Sequence, residues 1–118
     1  MWGLTSAGLL VVNVMNSSNA VLSTSTSSPI PLNTWTHITQ TFSSTNGVRL
    51  YVDAILVASS NVSSGRSVGP FVFIGASLST SCNSGSIVQG QFYGSVDELR
   101  IFRNELNATD ICRLVYYL

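Results

Sequence analysis

The sequence predicts an all-β antiparallel sandwich of the jelly-roll kind, closed by one short C-terminal helix. Segments with strand character give way to Ser, Asn and Gly clusters about every ten residues, the rhythm of short strands joined by tight turns. Within those segments apolar and polar residues alternate with period two, as they do where one face of a sheet is buried. Hydrophobic residues make up 45% of the 118 and charged ones only 8%, while roughly a quarter of the chain is Ser or Thr, a mixture that favours β structure with hydroxyl-rich loops. The length corresponds to one domain spanning residues 1–118.

Taken in order, Leu9 to Met15 and Ala20 to Thr26 read as a hairpin around Asn16, Ser17, Ser18 and Asn19, residue types that bond their own backbone in turns. Pro29 and Pro31 then exclude a central ladder and mark a connection. From Trp35 to Phe42 the alternation sets Trp35, His37, Thr39 and Thr41 against Thr36, Ile38, Gln40 and Phe42. Ser43 to Gly47 is a turn, Val48 to Val52 a strand, and Ile55 to Ala58 its return through Asp53-Ala54. Phe71 to Gly75 reads as a core strand and Ala76 to Gln89 as a long loop holding Cys82; loops of that length without structure of their own tend to be functional. Gly94 to Phe102 alternates again, as the last strand. Asn107 suits a helix N-cap with Asp110 three residues on, close to a capping box and well placed on the helix dipole.

These residues carry a resemblance. Gly94 to Phe102 followed by Leu106 and Asn107 to Ile111 resembles the closing strand and short helix of laminin G-like jelly-roll domains, in the concanavalin A-like lectin, glucanase and pentraxin superfamily. Trp35 to Thr39 with Phe42, then Gly47 to Asp53, resembles the paired central strands, and Phe73-Ile74-Gly75 falls between in the family order. The resemblance implies a concanavalin A-like sandwich. It departs at Asp53-Ala54, where the family has Asp-Gly; a type I′ turn needs positive φ at both central residues, which strains alanine by about 1 kcal/mol, so a different turn or a local bulge is expected. It departs also at the start, where 34 residues before Trp35 are too few for the family's opening strands, implying a domain that lacks its N-terminal strands or a minimised variant.

Net charge is zero and lysine is absent, so there is no electrostatic footprint for nucleic acid or an anionic membrane surface. The longest apolar run, Gly8 to Met15 interrupted by Asn13, is far short of the ~20 residues that cross a bilayer as a helix, which argues against membrane insertion. Met1 to Leu4 has no charged region of the kind that opens a secretory signal.

Related glucanases place paired carboxylates at alternate strand positions, one to protonate the leaving oxygen and one to attack from across the sugar. The five acids here, Asp53, Asp97, Glu98, Glu105 and Asp110, show no Glu-x-Asp-x-x-Glu pattern, and neighbours Asp97 and Glu98 point to opposite faces of a strand. A non-enzymatic chain is expected. His37, the only histidine, reads as a structural residue beside Trp35. Calcium sites of pentraxin-like relatives use acids in the loop after the Ile-Gly strand end, because the hard ion wants carboxylate oxygens; the matching loop here has no acid through Gln89. No cofactor is therefore expected, and calcium is not supported. Trp35, Phe42, Tyr51, Phe73 and Phe102 are assigned to the core, while Trp2, Tyr93, Tyr116 and Tyr117 are peripheral. Candidate ligand contacts are Ser77, Ser79, Asn83 and Ser84 in the long loop, with Tyr93 as a stacking face.

Sequons at Asn16, Asn61 and Asn107 fall at turns and make these asparagines glycosylation candidates of an exported protein. The resemblance brings Cys82 near the helix that holds Cys112, implying a disulfide; two separate buried thiols are the alternative. The expected role is an extracellular recognition module, secreted or in the ectodomain of a larger protein, binding a glycan or a cell-surface or matrix glycoprotein. The alternative is a structural or adhesion domain within a larger chain, with no small ligand.

Overall fold

Two three-stranded antiparallel sheets face one another across a shared aliphatic interior, with one helix at the C-terminal end, in a computed structural model that describes residues 1–66, 74–75 and 85–117. The first sheet holds β1 (Trp2–Leu4), β2 (Leu9–Met15) and β3 (Val21–Pro29) in that order, and the second holds β4 (Ile38–Ser43), β5 (Gly47–Val52) and β6 (Ile55–Ser60). The helix α1 spans Ala108–Tyr116.

The expected first hairpin forms. Asn16 closes its turn by accepting hydrogen bonds at Oδ1 from the backbone N–H groups of Ser18 (3.0 Å) and Ala20 (2.9 Å). Met15 pairs with Val21 beyond it. Pro29 is accommodated because β3 is an edge strand that ends there. The register shifts between Leu9 and Val11, and the Leu10 N–H bonds instead to the Thr26 hydroxyl at 3.1 Å. Strand β1 was not anticipated; three residues are too few to show a period, and its partners lie on β2, from Trp2 against Val12 to Leu4 against Leu10.

Period-two alternation explains the interior. Leu10 and Val12 of β2 and Val48 and Leu50 of β5 point inward, with Val62 closing the cluster and Leu4, Val14, Ile30, Ile38 and Ala58 packed around it. Each such buried aliphatic side chain contributes about 1.5–3 kcal/mol. The opposite face of β2 is covered as well, since Val11 and Asn13 are buried. Val88 N–H donates to the Leu4 carbonyl (2.9 Å), and Ile87 sits so tightly on Gly3 that a β-carbon there would overlap its Cγ2. Polar links tie the two sheets at their margins: the Trp2 indole N–H donates to Gln40 Oε1, and the Thr24 hydroxyl donates to Ser60 Oγ at 2.8 Å.

Several expectations are corrected. The strand read from Trp35 to Phe42 begins only at Ile38, because the approach is taken up by a loop in which Asn33 adopts φ 55° and the Thr34 hydroxyl donates to the Leu32 carbonyl at 3.3 Å. Trp35 is consequently 70% exposed and not a core residue. Phe42 is partly exposed, its ring lying against Gly65, whereas Tyr51 is buried as expected. The last strand, Gly94 to Phe102, does not join either sheet: Asp97 Oδ1 accepts the Glu98 N–H at 2.8 Å and Glu98 turns to φ 54°, breaking the alternation and leaving Phe102 exposed. Of the strand expected at Phe71 to Gly75, only Ile74 and Gly75 are described, both exposed; Phe73 lies outside the described residues.

At Asp53-Ala54 the turn keeps positive φ at both positions, 48° and 66°, so the expected change of turn does not occur. The pairing of β5 with β6 shifts register between Leu50 and Tyr51, but this lies beyond the turn, where Val52 still pairs with Ile55, so no bulge relieves Ala54. The helix start is as read: Asn107 is the N-cap, its Oδ1 accepting the Asp110 N–H at 2.9 Å. Ile111 is buried while Cys112, about 100° further around the helix, faces solvent as a free thiol. The expected bridge from Cys112 to Cys82 is therefore not formed; Cys82 itself lies outside the described residues.

The turn geometry makes opposite predictions for two small substitutions. Ala54→Gly should raise stability by about 1 kcal/mol, because glycine adopts the left-handed region without a Cβ clash. Gly47→Ala should lower it by roughly 2–4 kcal/mol, since Gly47 has φ +69° and a methyl there would overlap the Ser60 carbonyl oxygen. Urea midpoints of the two variants against wild type check both signs.

Candidate functional site

The β4–β5 hairpin carries a distinct polar arrangement at each end. At the first, the ladder runs one rung past Ile38 and Val52, with Asp53 N–H donating to the His37 carbonyl at 2.9 Å. The Asp53 carboxylate returns the contact, its Oδ1 accepting the His37 N–H at 2.8 Å. The imidazole meets the Thr39 hydroxyl, 3.3 Å from Nδ1. Two positions before it, Trp35 projects into solvent from a loop whose neighbours Thr34 and Thr36 supply hydroxyls. The exposed indole offers a flat apolar face, on a loop whose following residue His37 is held through its backbone N–H by the exposed Asp53 carboxylate.

At the other end, Glu105 reaches the Ser43–Gly47 turn from the segment that leads into α1. Asn46 Nδ2 donates to Glu105 Oε2 at 2.9 Å, the Arg49 guanidinium donates to Asn46 Oδ1 at 3.1 Å, and Asn46 N–H donates to Ser43 Oγ at 3.0 Å. The Asn46 amide above all, then the Ser43 hydroxyl, hold the Glu105 carboxyl below the usual carboxylate range against a smaller opposing cost of desolvation; the Arg49 charge and the Thr41 hydroxyl add to the lowering. The Thr41 contribution is that of a nearby dipole, because Thr41 Oγ1 and Glu105 Oε1 are both shielded from water without a hydrogen-bond partner. Thr41 and Arg49 are cross-strand neighbours, so this network fastens the C-terminal segment to the face of the sheet opposite the interior.

Of the ligand contacts expected from sequence, Tyr93 is 90% exposed, next to Phe92, whose N–H donates to the Gly75 carbonyl at 2.8 Å. Ser77, Ser79, Asn83 and Ser84 lie outside the described residues. Asn61 and Asn107 are exposed and Asn16 half-buried. The exposure of Trp35 was missed: strand periodicity put the indole in the core, and the Pro31, Asn33 and Thr34 turn chemistry that displaces it is the signal that finds it. Among the described residues no three of His, Cys, Asp and Glu converge to hold a metal ion, and no described helix is long and apolar enough to cross a membrane.

Two facing antiparallel sheets followed by a capped C-terminal helix agree with a family model, described as the concanavalin A-like lectin/glucanases superfamily, that matches residues 1–112. The chain belongs to this superfamily, as a laminin G-like domain. The fold is also similar to the 2.1 Å crystal structure of an S-layer domain-containing protein (residues 221–444) from Clostridium thermocellum ATCC 27405, with a TM-score of 0.64 and 22% identity over 92% of this chain. The chain spans 52% of that structure's length. No curated protein matches it.

The Glu105 network gives a pH dependence with a definite sign. A carboxyl whose folded pKa lies below the ordinary 4.5 contributes stability that is complete above that value and lost as pH falls through the folded pKa. Wild type should therefore lose more stability than Glu105→Gln between about pH 5 and pH 3, the interval in which an unfolded glutamate binds its proton. Melting curves of the two proteins across that interval check the difference, and parallel curves would remove Glu105 from this role.

Proposed function

We propose that this chain is a non-enzymatic, extracellular recognition module that binds a carbohydrate or the glycan of a glycoprotein, with Trp35 as its stacking surface. The single observation that carries the reading is the exposed Trp35, on a loop that leads into His37, whose backbone N–H the Asp53 carboxylate holds. An indole covers the apolar face of a pyranose ring, and an anchored carboxylate accepts from its hydroxyls; neither needs net charge on the ligand. Tyr93 is a second exposed aromatic of the same kind. Separation of the acids supports the absence of hydrolysis, because Asp53 and Glu105 serve opposite ends of one hairpin and are each engaged by backbone or amide donors. The exposed sequon asparagines Asn61 and Asn107 favour an extracellular address, in keeping with a fold neighbour named as an S-layer domain-containing protein.

A second reading, a structural or adhesion domain without a small ligand, is favoured by one observation: Val96, Leu99, Ile101 and Phe102 are all exposed along one segment, more apolar surface than solvent contact alone accounts for.

A glycan array probed with and without calcium chelation separates the readings. Wild type should bind neutral saccharides with or without chelator, and Trp35→Ala should weaken binding about tenfold or more while leaving the melting temperature nearly unchanged, as expected of an exposed side chain. Absence of binding to every saccharide would leave the structural reading in its place.

A further inference from the structure

Every residue from Val88 to Asn104 is exposed, and the apolar ones in Gly94 to Phe102 serve neither the interior nor the Trp35 surface. Ile101 is 81% exposed, and Val96, Leu99 and Phe102 stand open beside it. Their charged neighbours satisfy one another only locally. The Arg100 guanidinium donates through two nitrogens to a single oxygen of Glu98, at 3.0 and 2.6 Å, an exposed contact of the kind that contributes little. It is made with Glu98 in the left-handed region at φ 54°, which is costly for a residue with a Cβ. A stretch whose sequence alternates as a strand is thus left without a ladder.

We propose that residues 95–103 pair with the same residues of a second copy of this chain, as an antiparallel strand pair whose two-fold axis passes through Leu99. This register follows from complementarity. It places Glu98 opposite Arg100 of the second copy, and Arg100 opposite its Glu98, so both charge pairs form between chains. Val96 falls opposite Phe102 twice, and the two Leu99 side chains meet at the axis. Directly opposed residues share a face of the ladder, where opposite charges and apolar partners are favourable and like charges are not. The adjacent register, centred between Glu98 and Leu99, pairs Asp97 with Arg100 and Val96 with Ile101 but sets Glu98 against Leu99 and Phe102 against Ser95; the register through Leu99 sets only Asp97 against Ile101, and adds the Leu99 contact at the axis to its apolar pairs. Extension of Glu98 into the ladder removes its left-handed backbone, and the unpaired N–H and C=O groups gain partners. A contact with the same patch on both copies closes as a dimer. Zero net charge leaves no long-range repulsion against it.

Charge exchange tests this on the whole chain. Sedimentation velocity from about 1 to 500 µM should show wild type passing from monomer to dimer, a range suited to a small interface. Glu98→Arg and Arg100→Glu each set like charges opposite one another, and each should weaken self-association about tenfold or more. The double variant E98R/R100E restores both pairs and should recover the wild-type dimer. An equimolar mixture of the two single variants should form a heterodimer although neither self-associates, a result that loss of folding cannot produce. Wild type that stays monomeric throughout, single variants that dimerise as well as wild type, or a mixture that fails to associate would each overturn the proposal.

Discussion

The contact on which the rest depends is that of Leu10 and Val12 with Val48 and Leu50, one pair of side chains from each sheet. A three-stranded sheet has little stability alone, and its apolar face must be covered by another layer. Each of the two sheets here covers the other. Val62, just beyond β6, closes the end of the cluster and is fixed by backbone: its N–H donates to the Ser60 carbonyl at 2.9 Å, and the absence of a Cβ at Gly47 is what allows residues 60–62 to pass so close. Hydroxyl pairs at the margins, such as Thr24 with Ser60 and Ser17 with Ser64 at 3.0 Å, set the alignment of layers whose attraction is non-directional.

The two ends of the β4–β5 hairpin divide anchoring from recognition. At the Glu105 end the Asn46 amide, itself held by the Arg49 guanidinium, fastens the C-terminal segment. At the His37 end a backbone N–H donates to an exposed aspartate, and the loop before it carries its aromatic residue outward. Rigid strands thus position a loop whose composition is free to vary, the usual division of labour in β sandwiches.

Legibility in the sequence followed the range of the forces involved. Local chemistry was readable: the Asn16 turn and the Asn107 cap depend on groups within a few residues and stand where the sequence put them, while β3 runs three residues past the expected Thr26 to end at Pro29. Strand character also located β2 and β5. It failed for Trp35 and for Gly94 to Phe102, where alternation is present but a competing local interaction decides: Thr34 bonding its own loop in one case, Asp97 and Arg100 drawing Glu98 into a turn in the other. The exposed face of Trp35 was hidden for the same reason, because an aromatic at a strand position reads as core until the turn before it is weighed. β1 was illegible because nothing local defines it.

The seat of Ile87 on Gly3 bears on how the chain reaches this state. The outer face of β2, with Val11 and Asn13, cannot be dried by the first hairpin itself, since its cover arrives from residues near the far end of the sequence. During synthesis, which proceeds from the N-terminus, the hairpin emerges with one side still wet and must wait for most of the polypeptide before the first sheet is complete. Contacts of such wide sequence separation slow folding, so the hairpin residues, although made well before Ile87, are among the last to be sealed.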